Sequence, residues 1–235
     1  MRPLGILVTG DPVEGVARSR GTFADLLRGE LSGAWDGDFR LLDARRGELP
    51  SAPELSALLI TGSAESVTSR APWIVEAEAA LRDFVAAGVP TLGVCFGHQL
   101  LAQALGGLVE QNPRGREMGT VELALLAEDP LVAGLPARFA ANMSHRDSAT
   151  RLPDGTVRLA ATALEPNALV RFAPRAFGMQ FHPEFDGGVM RGYIDARVPV
   201  LTAEGIDPEG LAASDAPVAA ELLRRFGRLA HEVSS

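Results

Sequence analysis

The chain has 235 residues, 46% hydrophobic and 22% charged, which suits one large soluble globular domain with a substantial core. Its net charge of -8 argues against a nucleic-acid footprint, and no apolar run approaches the length of a membrane span. All 22 basic residues are arginine, which excludes schemes that need a lysine. The lone cysteine, Cys95, excludes an internal disulfide and a thiolate zinc site.

Leu4 to Thr9 is a short apolar run closed by Gly10-Asp11-Pro12, which predicts a buried first strand. It is too short and wrongly flanked for a signal peptide, so the cytoplasm is the expected location. The spacing predicts a helix from about Phe23 to Leu31, a second strand over Phe39 to Asp43 and a third over Leu55 to Thr61. The third strand runs into the small-residue loop Gly62-Ser63-Ala64. Pro72 opens an amphipathic helix that continues from Trp73 to Ala87 and ends at Gly88. Thr91 to Val94 is a fourth strand, and Gln99 to Leu105 has helical spacing. After Gly107 short strand-like runs follow, Gly119 to Leu126, Ala137 to Met143, Thr156 to Ala163, Ala168 to Phe172 and Ala176 to Phe181. From Gly187 onward the pattern is helical, with a loop around Ile206 to Pro217. The alternation in the first half predicts an α/β fold with a mostly parallel central sheet and helices on both faces, plus a small antiparallel portion. No linker divides it, and residues 1–235 read as a single domain.

Cys95 stands at the bend between the fourth strand and its helix, flanked by Gly93 and Gly97. A tight strand-to-helix turn projects its central side chain above the sheet edge, and the glycines remove side chains that would collide there. Unpaired N–H groups at the helix start favour a thiolate and suit an oxyanion. The alternative is a small buried hydrophobe.

A cysteine nucleophile needs a base, and the base needs a group that fixes its tautomer. Of the four histidines, His231 lies in a polar tail, and His98 sits on the first turn of the helix after Cys95. His145, in Asn142-Met143-Ser144-His145-Arg146-Asp147, lies in a polar loop that either lines a pocket or is exposed. His182 is the strongest candidate, because it follows a strand directly and Glu184, two residues on, lies on the same side of an extended segment. Pro183 keeps that segment from turning helical. The histidines lack metal-ligand spacing.

Taken together, Gly93-Val94-Cys95-Phe96-Gly97-His98-Gln99, His182-Pro183-Glu184 and Thr61-Gly62-Ser63 resemble, in order, the nucleophile motif, the His-x-Glu pair and the oxyanion loop of the class I glutamine amidotransferases. The resemblance covers roughly Leu4 to Phe185 and implies that family's flavodoxin-like sheet. It implies Cys95 as nucleophile, His182 as general acid and base, and Glu184 as its orienting carboxylate. It further implies an oxyanion hole from the N–H groups of Gly62 and Phe96 and a substrate contact from Gln99. Within the family the chain resembles the glutaminase part of GMP synthase and the stand-alone proteins similar to it. There Asn142 to Asp147 looks like a Met-Ser-His-Gly-Asp segment that lies against the substrate, so Ser63, Ser144, His145 and Arg146 join the candidate substrate-binding residues. Arg146 replaces the glycine of that segment, and either supplies a carboxylate contact, blocks the usual pose or points into solvent.

The implied reaction is hydrolysis of the glutamine side-chain amide through a γ-glutamyl thioester on Cys95, with neither metal nor cofactor. No segment reads as a synthetase, so the expectation is a glutaminase that works either with a separate synthetase or acceptor subunit or alone. Two alternatives stay open: hydrolysis of γ-glutamyl peptides by the same groups, and a regulatory or binding protein that is inactive without its partner. No nucleic-acid or membrane partner is expected. Glu204 to Glu209 and the arginines from Arg224 to Arg228 read as solvated faces.

Overall fold

The computed structural model describes residues 1–49 and 52–234. β1 (Leu4–Val8) leads into two helices, α1 (Glu14–Arg20) and α2 (Phe23–Glu30), and then β2 (Phe39–Asp43). Thr22 fixes the start of α2: its Oγ1 accepts from the Asp25 N–H at 3.2 Å, and the Asp25 carboxylate accepts from the Thr22 N–H at 2.9 Å. β3 (Ala57–Ile60), α3 (Pro72–Ala86), β4 (Thr91–Val94) and α4 (Phe96–Ala104) complete the alternating half. Seven strands follow: β5 (Leu108–Gln111), β6 (Glu117–Leu125), β7 (Arg138–His145), β8 (Asp147–Arg151), β9 (Val157–Ala161), β10 (Leu169–Ala173) and β11 (Ala176–Met179). The chain then forms α5 (Gly187–Ala196), α6 (Val198–Ala203) and α7 (Pro217–Ser234).

Nine strands make one sheet in the order β2-β1-β3-β4-β11-β10-β9-β6-β7. The strands from β2 to β11 are parallel to their neighbours, and from β11 to β7 each pair is antiparallel. The antiparallel runs expected after Gly107 thus extend the central sheet itself, while β5 and β8 pair in a separate antiparallel ribbon. Both faces are covered, and strand residues divide between them with the two-residue period. Leu4, Ile6, Leu59 and Leu92 pack with α2 and α7, whereas Leu7, Leu58 and Ile60 pack with α3 and α4. The arginines near the chain end are less solvated than expected. Arg225 donates to the carbonyls of Leu131 and Ala133, and Arg224 pairs with Glu30 at 2.8 Å, so they fasten α7 to the body.

Two features of the sheet position the site. β11 lies beside β4 in parallel, with Met179 opposite Val94, so the residues after each strand emerge side by side at the carboxyl edge. Bulges in β10 bend the antiparallel half. β7, last in the order, returns to that edge, where the His182 N–H donates to the Asn142 carbonyl at 2.9 Å.

Candidate active site

Cys95 occupies the turn between β4 and α4 at φ 51° and ψ -103°, a region that side chains other than hydrogen rarely adopt. The turn is tight because helix and strand nearly touch. A Cβ at Gly93 would lie 2.2 Å from the Gly97 carbonyl oxygen, and one at Gly97 would lie 2.5 Å from the Ile60 carbonyl oxygen. The Cys95 N–H donates to the Met179 carbonyl at 2.7 Å, which ties the turn to β11. The thiol sits 3.9 Å from the Ser144 carbonyl, and Phe96 begins the helix, where backbone N–H groups have no partner within it.

His182 follows β11 and meets Cys95 at the same edge. Its Nδ1 donates to Glu184 Oε1 at 2.8 Å, which fixes the tautomer and leaves Nε2 for the sulfur. Phe185 stacks on the imidazole with ring centroids 4.0 Å apart, and Glu184 is buried with it. Burial alone would raise the Cys95 thiol pKa, but the charge of His182 and its hydrogen bond to the sulfur, helped by His145, outweigh burial and lower it. Burial likewise works against an imidazolium at His182, yet Glu184 and Cys95 together push its pKa up to about 10. The two groups therefore stabilise each other as thiolate and imidazolium.

The loop after β3 is held from behind. Thr9 Oγ1 donates to the Thr61 carbonyl at 2.9 Å, and the Thr9 N–H donates to Thr61 Oγ1 at 3.0 Å. In a trans peptide this sets the Gly62 N–H on the side away from Thr9. A Cβ at Gly62 would lie 3.0 Å from His182 Cε1, so the glycine lets the loop approach the imidazole.

Two cavities meet at the sulfur, one of about 430 Å³ and one of about 100 Å³. Ser63 and Ser144 line both. Gln99 lines the larger one, but its amide nitrogen is taken up by the Asp147 carbonyl at 2.8 Å and Gln180 Oε1 at 3.0 Å, which leaves its oxygen to offer. Arg146 also lines it, with a side chain 54% exposed and Nε 3.9 Å from Glu204, so it stands at the rim. His145 ends β7 rather than lying in an open loop, and both ring nitrogens are engaged. Nδ1 donates to the Asp147 carbonyl at 2.9 Å, and Nε2 faces Glu117 Oε2 at 3.3 Å. Burial opposes its charge, but the hydrogen bond that Glu117 accepts and the charges of Glu165 and Cys95 raise its pKa. His98 packs on the far side of α4 against Phe172 and Gly178, where burial pushes its pKa down to about 3 and keeps it neutral.

The structure thus brings Cys95, His182 and Glu184 together with Gly62, Phe96 and Ser63 at one edge. Among the described residues no cluster of His, Cys, Asp and Glu has a geometry to hold a metal. Sequence reasoning missed Thr9 and Glu117, whose contacts with Thr61 and His145 join distant segments, and Phe185, Tyr193 and Arg197, which carry no motif of their own.

Residues 45–196 match the family model for glutamine amidotransferase class-I, well over half of the chain. The chain belongs to the class I glutamine amidotransferases. GMP synthase (glutamine-hydrolyzing) of Aeropyrum pernix is 38% identical over 143 residues, which are 61% of this chain and 26% of that protein. The corresponding protein of Thermosipho africanus is 32% identical over 168 residues, 71% of this chain and 29% of that one. The chain therefore spans less than a third of these synthases. A glutamine amidotransferase-like protein of Schizosaccharomyces pombe is 32% identical over 169 residues, 70% of this chain and 67% of that one. The crystal structure of a glutamine amidotransferase from Thermotoga maritima superposes with a TM-score of 0.74 at 22% identity, each chain covered fully. That likeness shows the amidotransferase fold.

Proposed function

We propose that this amidotransferase hydrolyses the side-chain amide of glutamine, or of a related γ-glutamyl amide, through a thioester on Cys95. The observation that carries the reading is the imidazole of His182, fixed by Glu184 on one nitrogen and facing the thiol of Cys95 with the other. The Cys95 thiolate attacks the amide carbon, forming the C–S bond, and the carbonyl electron pair moves onto oxygen. On this reading the N–H groups of Gly62 and Phe96 receive that oxyanion. As the carbonyl reforms, the C–N bond breaks and the amine takes a proton from His182. Water then gives a proton to His182 and attacks the thioester, and the C–S bond breaks to release the acid and regenerate the thiolate–imidazolium pair.

The glutamine-hydrolyzing synthases among its relatives support a destination for the ammonia on a separate acceptor subunit. A lone catalytic thiol stays reduced in the cytoplasm, which fits that location. The test is a mass spectrum after rapid acid quench with glutamine, alongside an assay of released ammonia. A γ-glutamyl adduct on Cys95 and a fall in turnover of at least roughly 10³-fold in Cys95→Ser are expected. Ammonia release that persists in Cys95→Ser would overturn the assignment.

A further inference from the structure

Arg197, which closes α5, is a cation that the acyl-transfer steps leave unused. Its guanidinium lies over the Tyr193 ring, 4.9 Å from the centroid, in a wall common to both cavities at Cys95. Nη1 is buried without a hydrogen-bond partner, and among the described residues Arg197 makes no ion pair. The neighbouring arginines differ. Arg116 grips Glu204 through two contacts of 2.8 and 3.1 Å, and Arg146 shares the same carboxylate. A half-buried guanidinium with one nitrogen shut off from water and no counter-ion carries a desolvation cost, and a planar carboxylate is the anion whose geometry matches it. Burial, reinforced by the like charge of Arg116, holds its pKa below the usual guanidinium value.

The chemistry assigns the two cavities to the two halves of a substrate. His182 has to protonate the departing nitrogen, so the amine half leaves on the His182 side. The smaller cavity is walled by His182, Tyr193 and Asp11, whereas the larger is walled by Gln99 and Asp147 and lacks His182. The acyl half therefore takes the larger cavity and the amine half the smaller. Tyr193, which fixes the guanidinium, lines the smaller one.

We propose that Arg197 binds a carboxylate on the amine half of the substrate, so that γ-glutamyl derivatives of amino acids or short peptides with a free carboxylate are hydrolysed in preference to glutamine. The assignment rests on the reading above that Cys95 forms a γ-glutamyl thioester. Ammonia, the amine half of glutamine, makes no use of this cation.

The test compares γ-glutamylglycine with γ-glutamylglycinamide, and both with glutamine, in the unaltered protein, Arg197→Gln and Arg197→Lys. The unaltered protein should favour the free acid over the glycinamide by roughly 10- to 100-fold in kcat/KM, mostly through KM, the range of a hydrogen bond to a charged group. It should favour the free acid over glutamine as well. Arg197→Gln should bring the acid-to-amide ratio close to one, and Arg197→Lys should restore part of it. A ratio near one in the unaltered protein, or one unchanged in Arg197→Gln, overturns the proposal. A third arm uses γ-glutamylglycine amidated at the glutamyl α-carboxylate. If Arg197→Gln loses discrimination at that position instead, the cation reads the acyl half and the proposal fails. Failure of every γ-glutamyl compound to acylate Cys95 would defeat the reaction itself, whereas acylation without preference defeats only the role of Arg197.

Discussion

His182 is held between two groups that both favour its protonated form, Glu184 on one nitrogen and the Cys95 sulfur on the other. With its pKa near 10, the imidazolium persists through neutral pH, and turnover should fall as pH rises through that value because the amine loses its acid. The thiol behaves in the opposite sense: its pKa is lowered, so the thiolate is present above the lowered value and lost as pH falls through it. His182→Asn removes the largest influence that opposes burial. Iodoacetamide alkylation of Cys95, followed from about pH 5 to about pH 10, should then reach its midpoint at higher pH and run more slowly at neutrality. An unmoved midpoint would separate the imidazole from the sulfur. At this scale the sequence makes Cys95, His182 and Glu184 legible because each motif is compact. Thr9 and Arg197 are not legible, since Thr9 acts on Thr61 across 52 residues and Arg197 matters only where two cavities meet.

The unit of β4, the turn and α4 depends on a contact between backbones with no side chain between them. Gly97→Ala places a methyl group 2.5 Å from the Ile60 carbonyl oxygen, and backbone cannot yield as a flexible side-chain tip does. A loss of about 1–3 kcal/mol in urea unfolding is expected, together with reduced turnover, because α4 carries the Phe96 N–H. Stability close to that of the unaltered protein would mean that α4 slides away freely. Elements with an apolar run or a helical period were legible, such as β3 over Ala57–Ile60 and α3 over Pro72–Ala86. α1 escaped because only Val16 of its seven residues is buried. In the ribbon of β5 and β8, Val109 is the single buried residue of β5, and β8 buries Ser148 and Ala149 within a polar sequence. Neither strand carries an apolar alternation to read.

Across the whole molecule the two halves of the sheet have separate duties. The parallel half delivers Cys95 and His182 to one edge, and the antiparallel half returns there through Asn142. Its buried amide donates to the Phe185 carbonyl at 2.8 Å and accepts from Thr120 Oγ1 at 2.7 Å. The parallel arrangement was visible in the order of strands and helices, but the return of β7 was not, because bulges and pairing across long separations produce it. With the sulfur where two cavities meet, the mechanism proposed above has the attacking water give its proton to the same imidazole that released the amine, and so enter from the space the amine has vacated. Water and amine then compete for a single thioester. On the reading of Arg197 given above, added glycine should capture the γ-glutamyl group more readily than added glycinamide. The yield of transfer product over glutamate should rise in proportion to glycine concentration, and equal capture of the two would argue against a carboxylate contact from Arg197. On that proposal the surrounding amine pool would set the product ratio, and one site would partition between hydrolysis and synthesis of a new γ-glutamyl bond.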